Sequence, residues 1–453
     1  MSVNSSSEYG KRPWIWFAVY QLLWHLLLPL AFVRLAWRAR HSFAYLHHIP
    51  ERLGFGYDRP ITQGSIWIHA VSVGETRAAQ PLIDAYLARG ETILLTHMTL
   101  NGRRTGKQLF SKAIAAGQIR QVYLPYDLCW PVEHFLKTFK PKLGLFMETE
   151  AWPTVVFRCA EIGPPLFLVN ARLSSRSARR VNQFGKAGRA LFQAFAGILA
   201  QTEFDAQRYR SLGVKNVDIV GNLKFDVPLD PKLVQEGNVW QQDLHNIHRL
   251  MVCAASTRDG EEEMILKAWK DLLLSNAFAV QPLLCLVPRH PERFSEVADQ
   301  IVSAGLKFRR RTEWSGVPKD CSGIEVVLGD SMGEMPMYYS AADLVVMGGS
   351  LLPFGGQNLI EACAAGCPVL LGEHTYNFQQ ATLDAIEAGA AMQIEGDLLL
   401  VESIALVEAL KVLLLNPTKL VSMSQAAKIY SIEHQGATKS ILATLDQHNF
   451  SLS

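Results

Sequence analysis

The sequence predicts an α/β protein with two Rossmann-like domains facing a cleft and an N-terminal helix that anchors to a membrane. Three observations carry this reading. Short apolar runs alternate with helical patterns in two successive series, as in parallel doubly wound sheets. At 453 residues the chain exceeds the usual size of a single core. Residues 13–33 carry no charged side chain and are rich in Leu, Trp, Phe and Ile.

That first segment is long enough to cross a hydrocarbon core of about 30 Å. Trp14, Trp16, Trp24 and Trp37 suit the interfacial zones, and Arg34, Arg38, Arg40 and Arg52 outweigh Lys11 and Arg12 across the run. The heavier basic flank places the body on the cytoplasmic side. No small-residue cleavage site follows, which argues against a removable signal peptide. His25 and Pro29 leave two arrangements open, a spanning helix or one lying in the interface.

The first series of strands begins at Ile66–Val71 and is followed by a helix over Thr76–Arg89, with apolar positions at Ala79, Leu82, Ile83, Tyr86 and Leu87. It continues through Thr92–Thr96, Gln121–Leu124, Leu143–Met147, Leu166–Val169, Gly197–Ala200 and Val217–Val220. The polar stretch Asn222–Gln241, with Pro228 and Pro231, reads as a linker. The second series runs through Leu250–Ala255, Pro282–Val287, Lys307–Phe308, Glu325–Leu328, Leu344–Met347 and Pro368–Leu371, with helices over Val401–Leu415 and Leu420–Tyr430. The expected organisation is an anchor over residues 1–40, a first domain over 41–225 and a second over 226–453.

Composition narrows the function classes. Apolar residues make up 49% and charged residues 19%, so the chain buries a core and is not disordered. The net charge of +2 conceals two arginine clusters, Arg172 to Arg180 and Arg309 to Arg311. The second reads as a solvated face, and the first suits an anionic substrate or lipid phosphates. No aromatic-basic pattern marks a nucleic-acid partner. The seven cysteines lack a CxxC pair and read as reduced thiols, with no metal-site spacing.

Candidate chemistry gathers where strands end. Glu75 closes the run Val71-Ser72-Val73-Gly74 at the carboxyl end of a parallel strand, where open α/β sheets bind ligands. It reads either as a general base or as a first-turn carboxylate favouring the helix dipole. Glu148 and Glu150 follow the Leu143–Met147 strand, and their i, i+2 spacing points one of them away unless the turn bends. Lys224 offsets substrate charge or forms a linker salt bridge. In the second half, Ser256 and Thr257 stand before a helix start that can receive a phosphate or be merely capped. Arg289, held between a strand end and Pro291, offers a planar guanidinium to a phosphate. Glu334 lies in Gly329–Met335, either at a ligand or at the start of the following helix. Paired glycine turns over Gly348–Gly356 lead into a helix whose first turn carries Asn358 and Glu361.

These segments together resemble the 3-deoxy-manno-octulosonic acid (Kdo) transferases. The matching stretches are HAVSVGE (His69–Glu75), METEAWP (Met147–Pro153), Asn170–Ser174, GNLKFD (Gly221–Asp226), PRHPERF (Pro288–Phe294), GDSMGEM (Gly329–Met335), GGSLLPFGGQN (Gly348–Asn358) and Tyr376–Phe378. The resemblance implies a glycosyltransferase-B fold, CMP-Kdo as donor, a lipid A precursor as acceptor and a short anchor on the cytoplasmic face of the inner membrane. It implies Glu75 as the base, with Glu148 or Glu150 and Lys224 aiding the transition state and Arg172 meeting acceptor anions. CMP contacts are implied at Ser256, Arg289, His290, Gly333, Glu334, Met335, Asn358, Leu359, Ile360 and Glu361. Phe354 and Gln357 depart from the family pattern, where histidine or another polar residue is expected at the first and histidine at the second. Glu373-His374-Thr375 likewise replaces a Gly-Pro form. The expected reaction is an inverting transfer that needs no metal or cofactor, since no DxD-type carboxylate pair stands in the second half.

Overall fold

The computed structural model describes residues 14–40, 42–57, 64–394 and 404–447. They form two compact units: one from the residues up to Val227 together with those from Gln435 onward, the other over Pro228–His434.

The first unit is built on a parallel sheet of β1 (Ile66–His69), β2 (Ile93–His97), β3 (Ile119–Tyr123), β4 (Leu143–Met147), β5 (Leu166–Ala171), β6 (Gly197–Ala200) and β7 (Val217–Ile219). The strand order is β3-β2-β1-β4-β5-β6-β7. β1, β2, β4, β5 and β6 are buried along their whole length. Helices cover both faces of such a sheet, so its strands read as unbroken apolar runs. The expected helix over Thr76–Arg89 is two helices, Val73–Ala78 and Gln80–Ala88. Pro81 has no N–H to carry the hydrogen-bond ladder across the junction.

The second unit repeats the plan with β8 (Met251–Thr257), β9 (Leu283–Pro288), β10 (Phe308–Arg310), β11 (Val326–Leu328), β12 (Leu344–Met347), β13 (Val369–Leu371) and β14 (Ala391–Gln393), ordered β10-β11-β9-β8-β12-β13-β14 and parallel throughout. β14 is an addition to the expected strands. Its three residues are too short for a period-two pattern to stand out.

Two parts of the organisation differ from the sequence reading. Most of the expected linker is a helix, Pro231–Asn246, started by the Asp230 side chain accepting from Lys232 N at 2.9 Å. Gly237, Trp240 and Leu244 are its buried stripe. A Cβ on Gly237 would stand 2.4 Å from the Met337 carbonyl, so a neighbouring helix packs directly on its backbone. The chain also returns to the first unit at its end. The helix Ala437–Gln447 puts Ile441, Leu442 and Leu445 into the core that holds Ile66, Ile68 and Leu82. Burying each of those side chains stabilises the arrangement by about 2 kcal/mol. Asp226 fixes the start of this helix by accepting from Gly436 N at 2.7 Å and Thr438 N at 2.6 Å. The helices Ile404–Leu414 and Pro417–Glu433 stay within the second unit, and residues 401–403 of the expected helix lie outside the described residues.

The N-terminal helix, Trp14–Ala39, lies along the first unit. Phe17, Tyr20, Gln21 and Trp24 follow one helical stripe. Phe17 packs edge-on to Phe157 at 5.8 Å, and Tyr20 Oη donates to Asp127 Oδ2 at 2.7 Å. Gln21 Nε2 donates to Thr154 Oγ1 at 2.7 Å and to the Asp127 carbonyl at 3.1 Å, while its Oε1 accepts from Cys129 N. Farther along, Phe32 meets Tyr126 at 6.2 Å. The opposite side exposes Ile15, Val19, Leu22, Leu26, Leu30 and Val33. Residues Ile15–Ala39 are long and apolar enough to cross a membrane.

Candidate active site

In the first sheet the connections reverse direction between β1 and β4, so loops leaving the carboxyl ends of these strands splay apart and leave room for a ligand. Glu75 leaves β1 and Glu148 and Glu150 leave β4. Ser72 caps the helix behind β1, its Oγ accepting from Glu75 N at 3.3 Å. The Glu75 carboxylate folds back over the turn and accepts from Val71 N at 2.5 Å. Glu75 is thus a first-turn carboxylate and a member of the strand-end cluster at once. Burial raises its carboxyl above the ordinary range, and the charge of Glu148 raises it further.

Glu148 sits at φ 55°, the left-handed region, and its side chain is buried. Non-glycine residues held there cost of order 1 kcal/mol and cluster at functional sites. The turn aims its carboxylate at two cations. Lys224 Nζ lies 2.8 Å from Oε1 and Arg172 Nε 3.1 Å from Oε2. Burial alone would raise this carboxyl, but Lys224 and then Arg172 hold it below the ordinary range. Lys224 is therefore an ion-pair partner inside the site. Its turn is fixed from both sides: Asn222 Oδ1 accepts from Lys224 N at 3.0 Å, and Asn170 Oδ1, itself at φ 52°, accepts from Leu223 N at 3.0 Å.

The bend at Glu148 resolves the i, i+2 question. Glu148 turns to the cations and Glu150 toward Glu75. Burial and then the Glu75 charge push the Glu150 carboxyl up to about 7, against the pull of Trp152 Nε1, which donates to its Oε2 at 2.8 Å. The cluster thus holds one carboxylate firmly ionised and two whose charges oppose each other. Arg176, Arg179 and Arg180 are exposed on the neighbouring helix Ser175–Gln183.

In the second sheet the reversal falls between β8 and β12. β8 ends in a bulge, where the register to β9 shifts between Ala255 and Thr257 and Ser256 takes φ 57°. A Cβ on Gly348 would stand 2.4 Å from the Ser256 carbonyl, so only glycine lets the end of β12 come this close. The helix Glu261–Leu274 does not offer an empty phosphate site at its start. Glu261 is buried and accepts from the main-chain N–H groups of Arg258, Gly349 and Leu351, bracing the glycine loop. Thr257 Oγ1 is spent on Glu262 at 2.8 Å, and Arg293 pairs with the same carboxylate at 2.7 Å.

Arg289 and His290 are exposed past the end of β9. Arg258 donates to His290 Nε2 at 3.0 Å and lies over the Phe354 ring at 4.8 Å. Because arginine only donates, the proton of neutral His290 is on Nδ1. Burial, then Arg258 and Arg289, lower the His290 pKa and keep the ring neutral. Asn358 Nδ2 donates to Glu361 Oε1 at 3.0 Å, and its Oδ1 accepts from Ile360 N at 3.2 Å.

Several expected donor contacts are placed differently. Leu359 and Ile360 are buried in the core, main chain included, and the Leu359 carbonyl is taken by Cys363 N at 3.0 Å. Glu334 pairs with Arg311 at 2.9 Å and also binds Ser331 and Tyr338, while Gly333 beside it is exposed and Met335 half-buried. Its carboxylate is occupied within the protein. The Arg309–Arg311 run is not one solvated face, because Arg311 is buried and Arg310 pairs with Asp330 at 3.4 Å. Trp152, Asn170, Arg258 and Glu261 join these clusters without having been singled out. Trp152 and Asn170 fall inside quoted segments and Arg258 and Glu261 just after Thr257, but the parts of Asn170, Arg258 and Glu261 depend on partners distant in sequence.

Known proteins share both fold and sequence with this chain. Solved structures of a UDP-GlcNAc 2-epimerase from Neisseria meningitidis and a glycosyltransferase from Rickettsia africae each superpose with a TM-score of 0.56. They cover 84% and 86% of this chain and all of their own, at 16% and 11% identity, which shows the two-domain glycosyltransferase-B class of fold. A family model described as 3-deoxy-D-manno-octulosonic-acid transferase (kdotransferase) matches residues 47–227. The 3-deoxy-D-manno-octulosonic acid transferase of Bordetella pertussis is 43% identical over 94% of this chain and 98% of its own. The Haemophilus influenzae enzyme of the same name is 33% identical over 95% and 98%. With such identity along nearly the whole of both chains, this protein belongs to the 3-deoxy-D-manno-octulosonic acid transferase family of glycosyltransferases.

Proposed function

We propose that the protein transfers Kdo from CMP-Kdo to a lipid A precursor, lipid IVA, with inversion at the anomeric carbon. The observation that carries this is the carboxylate cluster at the β1–β4 reversal, with a raised Glu75 beside a charge-neutralised Glu148. Glu75 removes the proton from the acceptor hydroxyl, whose oxygen attacks the anomeric carbon as CMP departs. A single base and a single displacement invert that centre. Lys224 and Arg172 hold Glu148 ionised, and protonated Glu150 leaves Glu75 free to ionise. Arg289 and Arg258 meet the donor's phosphate and sugar-acid charges, with His290 Nδ1–H as a neutral donor beside them. Ser256, Gly333, Met335, Asn358 and Glu361 surround the nucleotide, Leu359 and Ile360 support that wall from the core, and Glu334 braces it through Arg311.

The N-terminal helix lies in the plane of the inner membrane, with the body on the cytoplasmic face. Its contacts with the body run from Phe17 to Phe32, about 22 Å of helix at 1.5 Å per residue. A spanning helix would drag Asp127 and Thr154 into hydrocarbon, where polar groups are costly. An in-plane helix buries only its apolar outer stripe. The exposed arginines at 176, 179 and 180 suit the phosphates of an anionic lipid acceptor.

The test is product analysis by mass spectrometry with purified protein, CMP-Kdo and a tetra-acylated lipid A precursor. A gain of one or more Kdo units, abolished in Glu75→Ala while CMP still binds by calorimetry, is the expected result. No gain from folded wild-type protein refutes the assignment.

A further inference from the structure

The segment after β4 is tied on one side to the carboxylate cluster and on the other to the N-terminal helix. Trp152 Nε1 donates to Glu150 Oε2 at 2.8 Å. The Trp152 ring lies 6.5 Å from that of Trp24, which also packs at 5.7 Å on Tyr126. Two residues on, Thr154 stands in the first turn of the helix Pro153–Ile162, whose start is clasped by the buried Asp127. Thr154 N donates to Asp127 Oδ2 at 2.8 Å and Val155 N to Oδ1 at 3.0 Å. Tyr20 and Gln21 of the N-terminal helix bind the same Asp127 and Thr154. One rigid turn therefore carries an active-site carboxylate at one end and the docking points of the membrane helix at the other.

We propose that the N-terminal helix, besides anchoring the protein, sets the position of Glu150 through Trp24 and Trp152, with Trp152 the positioning residue. This rests on the reading of Glu75, Glu148 and Glu150 as the catalytic group. Packing on a neighbouring ring restricts how an indole can turn and so where its N–H points. Trp24 supplies such a contact from an element whose own outer face is apolar and exposed. Seating that face in lipid fixes the helix, the helix fixes Trp152, and Trp152 fixes the carboxylate beside Glu75.

Trp152 donates to the ionised form of Glu150 and so opposes the effects that raise its carboxyl. The charged groups facing Glu150 are Glu75, from the helix after β1, and Glu148, from its own turn. Lys224 and Arg172 are engaged with Glu148. Losing the indole N–H must then raise the Glu150 pKa.

The experiment is the pH profile of kcat for Kdo transfer by the full chain in vesicles of phosphatidylethanolamine and phosphatidylglycerol. Glu150→Gln identifies the limb that Glu150 produces. Trp152→Phe keeps a ring and removes the N–H, and Trp24→Ala removes the seat from outside the body, so the second variant carries the test if the first does not fold. The expected result is an upward move of the Glu150 limb by about half to one pH unit in Trp152→Phe. Trp24→Ala moves it in the same direction, with KM for CMP-Kdo within about twofold of wild type. Limbs that stay at the wild-type pH in both variants, with kcat scaled uniformly, overturn the proposal. A limb that survives Glu150→Gln removes Glu150 from the catalytic group, and with it the reading on which the proposal rests.

Discussion

Replacing Lys224 with methionine keeps most of the aliphatic stem and deletes the charge. The Lys224 side chain is only 17% exposed, and its ammonium sits 2.8 Å from Glu148, whose side chain is 7% exposed. Removing one partner of a buried pair costs about 3–5 kcal/mol. Arg172 stays on the other carboxylate oxygen at 3.1 Å, although at 41% exposure it is partly screened. The loss in K224M is therefore about 2 kcal/mol, or about 4–8 °C in the melting transition of the first unit. The pH dependence has a definite sign. Despite burial, the Glu148 carboxyl in the wild type lies below its ordinary range because of the two cations. Its contribution is present above the unfolded pKa and lost as pH falls through the lower folded value. Without Lys224 burial moves that value upward, so the deficit is largest at neutral pH and shrinks as Glu148 takes up a proton. The assay is thermal unfolding in detergent at neutral and at mildly acid pH, for K224M, Glu148→Gln and the double variant. The double variant should be more stable than the two single losses added together, because the amide needs no cation. A K224M protein that melts with the wild type at neutral pH, or a K224M deficit of the same size in the Glu148→Gln background, refutes the reasoning.

Three further outcomes follow. Glu75→Gln should lower kcat by about 10²–10⁴-fold with CMP affinity unchanged by calorimetry, and a smaller loss moves the base elsewhere. Because burial and Glu148 raise the Glu75 carboxyl and only its ionised form is a base, kcat should fall as pH drops through a midpoint above the ordinary value of about 4.3. A midpoint at or below that value contradicts the assignment. Phe354→Ala removes the ring beneath Arg258, and KM for CMP-Kdo should rise about two- to fivefold with kcat little changed. An unchanged KM shows that Arg258 does not meet the donor.

Sequence periodicity carried the two parallel sheets because strands buried on both faces must be apolar throughout, as Ile66–His69 and Leu143–Met147 are. It also carried the placement of Glu75, Glu148 and Arg289 just past strand ends, whatever their partners are, whereas Asn358 lies before the helix Ile360–Ala364 and not in its first turn. The family could be read for a related reason: its motifs lie at those strand ends as short contiguous stretches. The helix Pro231–Asn246 was harder to see because prolines and polar residues at its start look like a linker, while its buried stripe rests on Gly237 and Trp240, residues that are not part of a continuous apolar pattern.

Tertiary structure alone decided which charges meet. Lys224 and Glu148 are 76 positions apart, and only the folding of β4 beside β5, with the Asn170 bond to Leu223, brings them to 2.8 Å. The left-handed turn at Glu148 separates it from Glu150, which periodicity could not do because the strand rule ends with the strand. The return of Ala437–Gln447 to the first unit depends on a core with space for Ile441 and Leu445. The docking of the N-terminal helix through Tyr20 and Gln21 depends on Asp127, a buried carboxylate more than a hundred residues away. The sequence by itself determined which segments become strands and which residues stand at their ends, because those properties are local. Partners, charge states and the seat of the membrane helix were decided by contacts between distant segments, and such contacts exist only once the chain has folded.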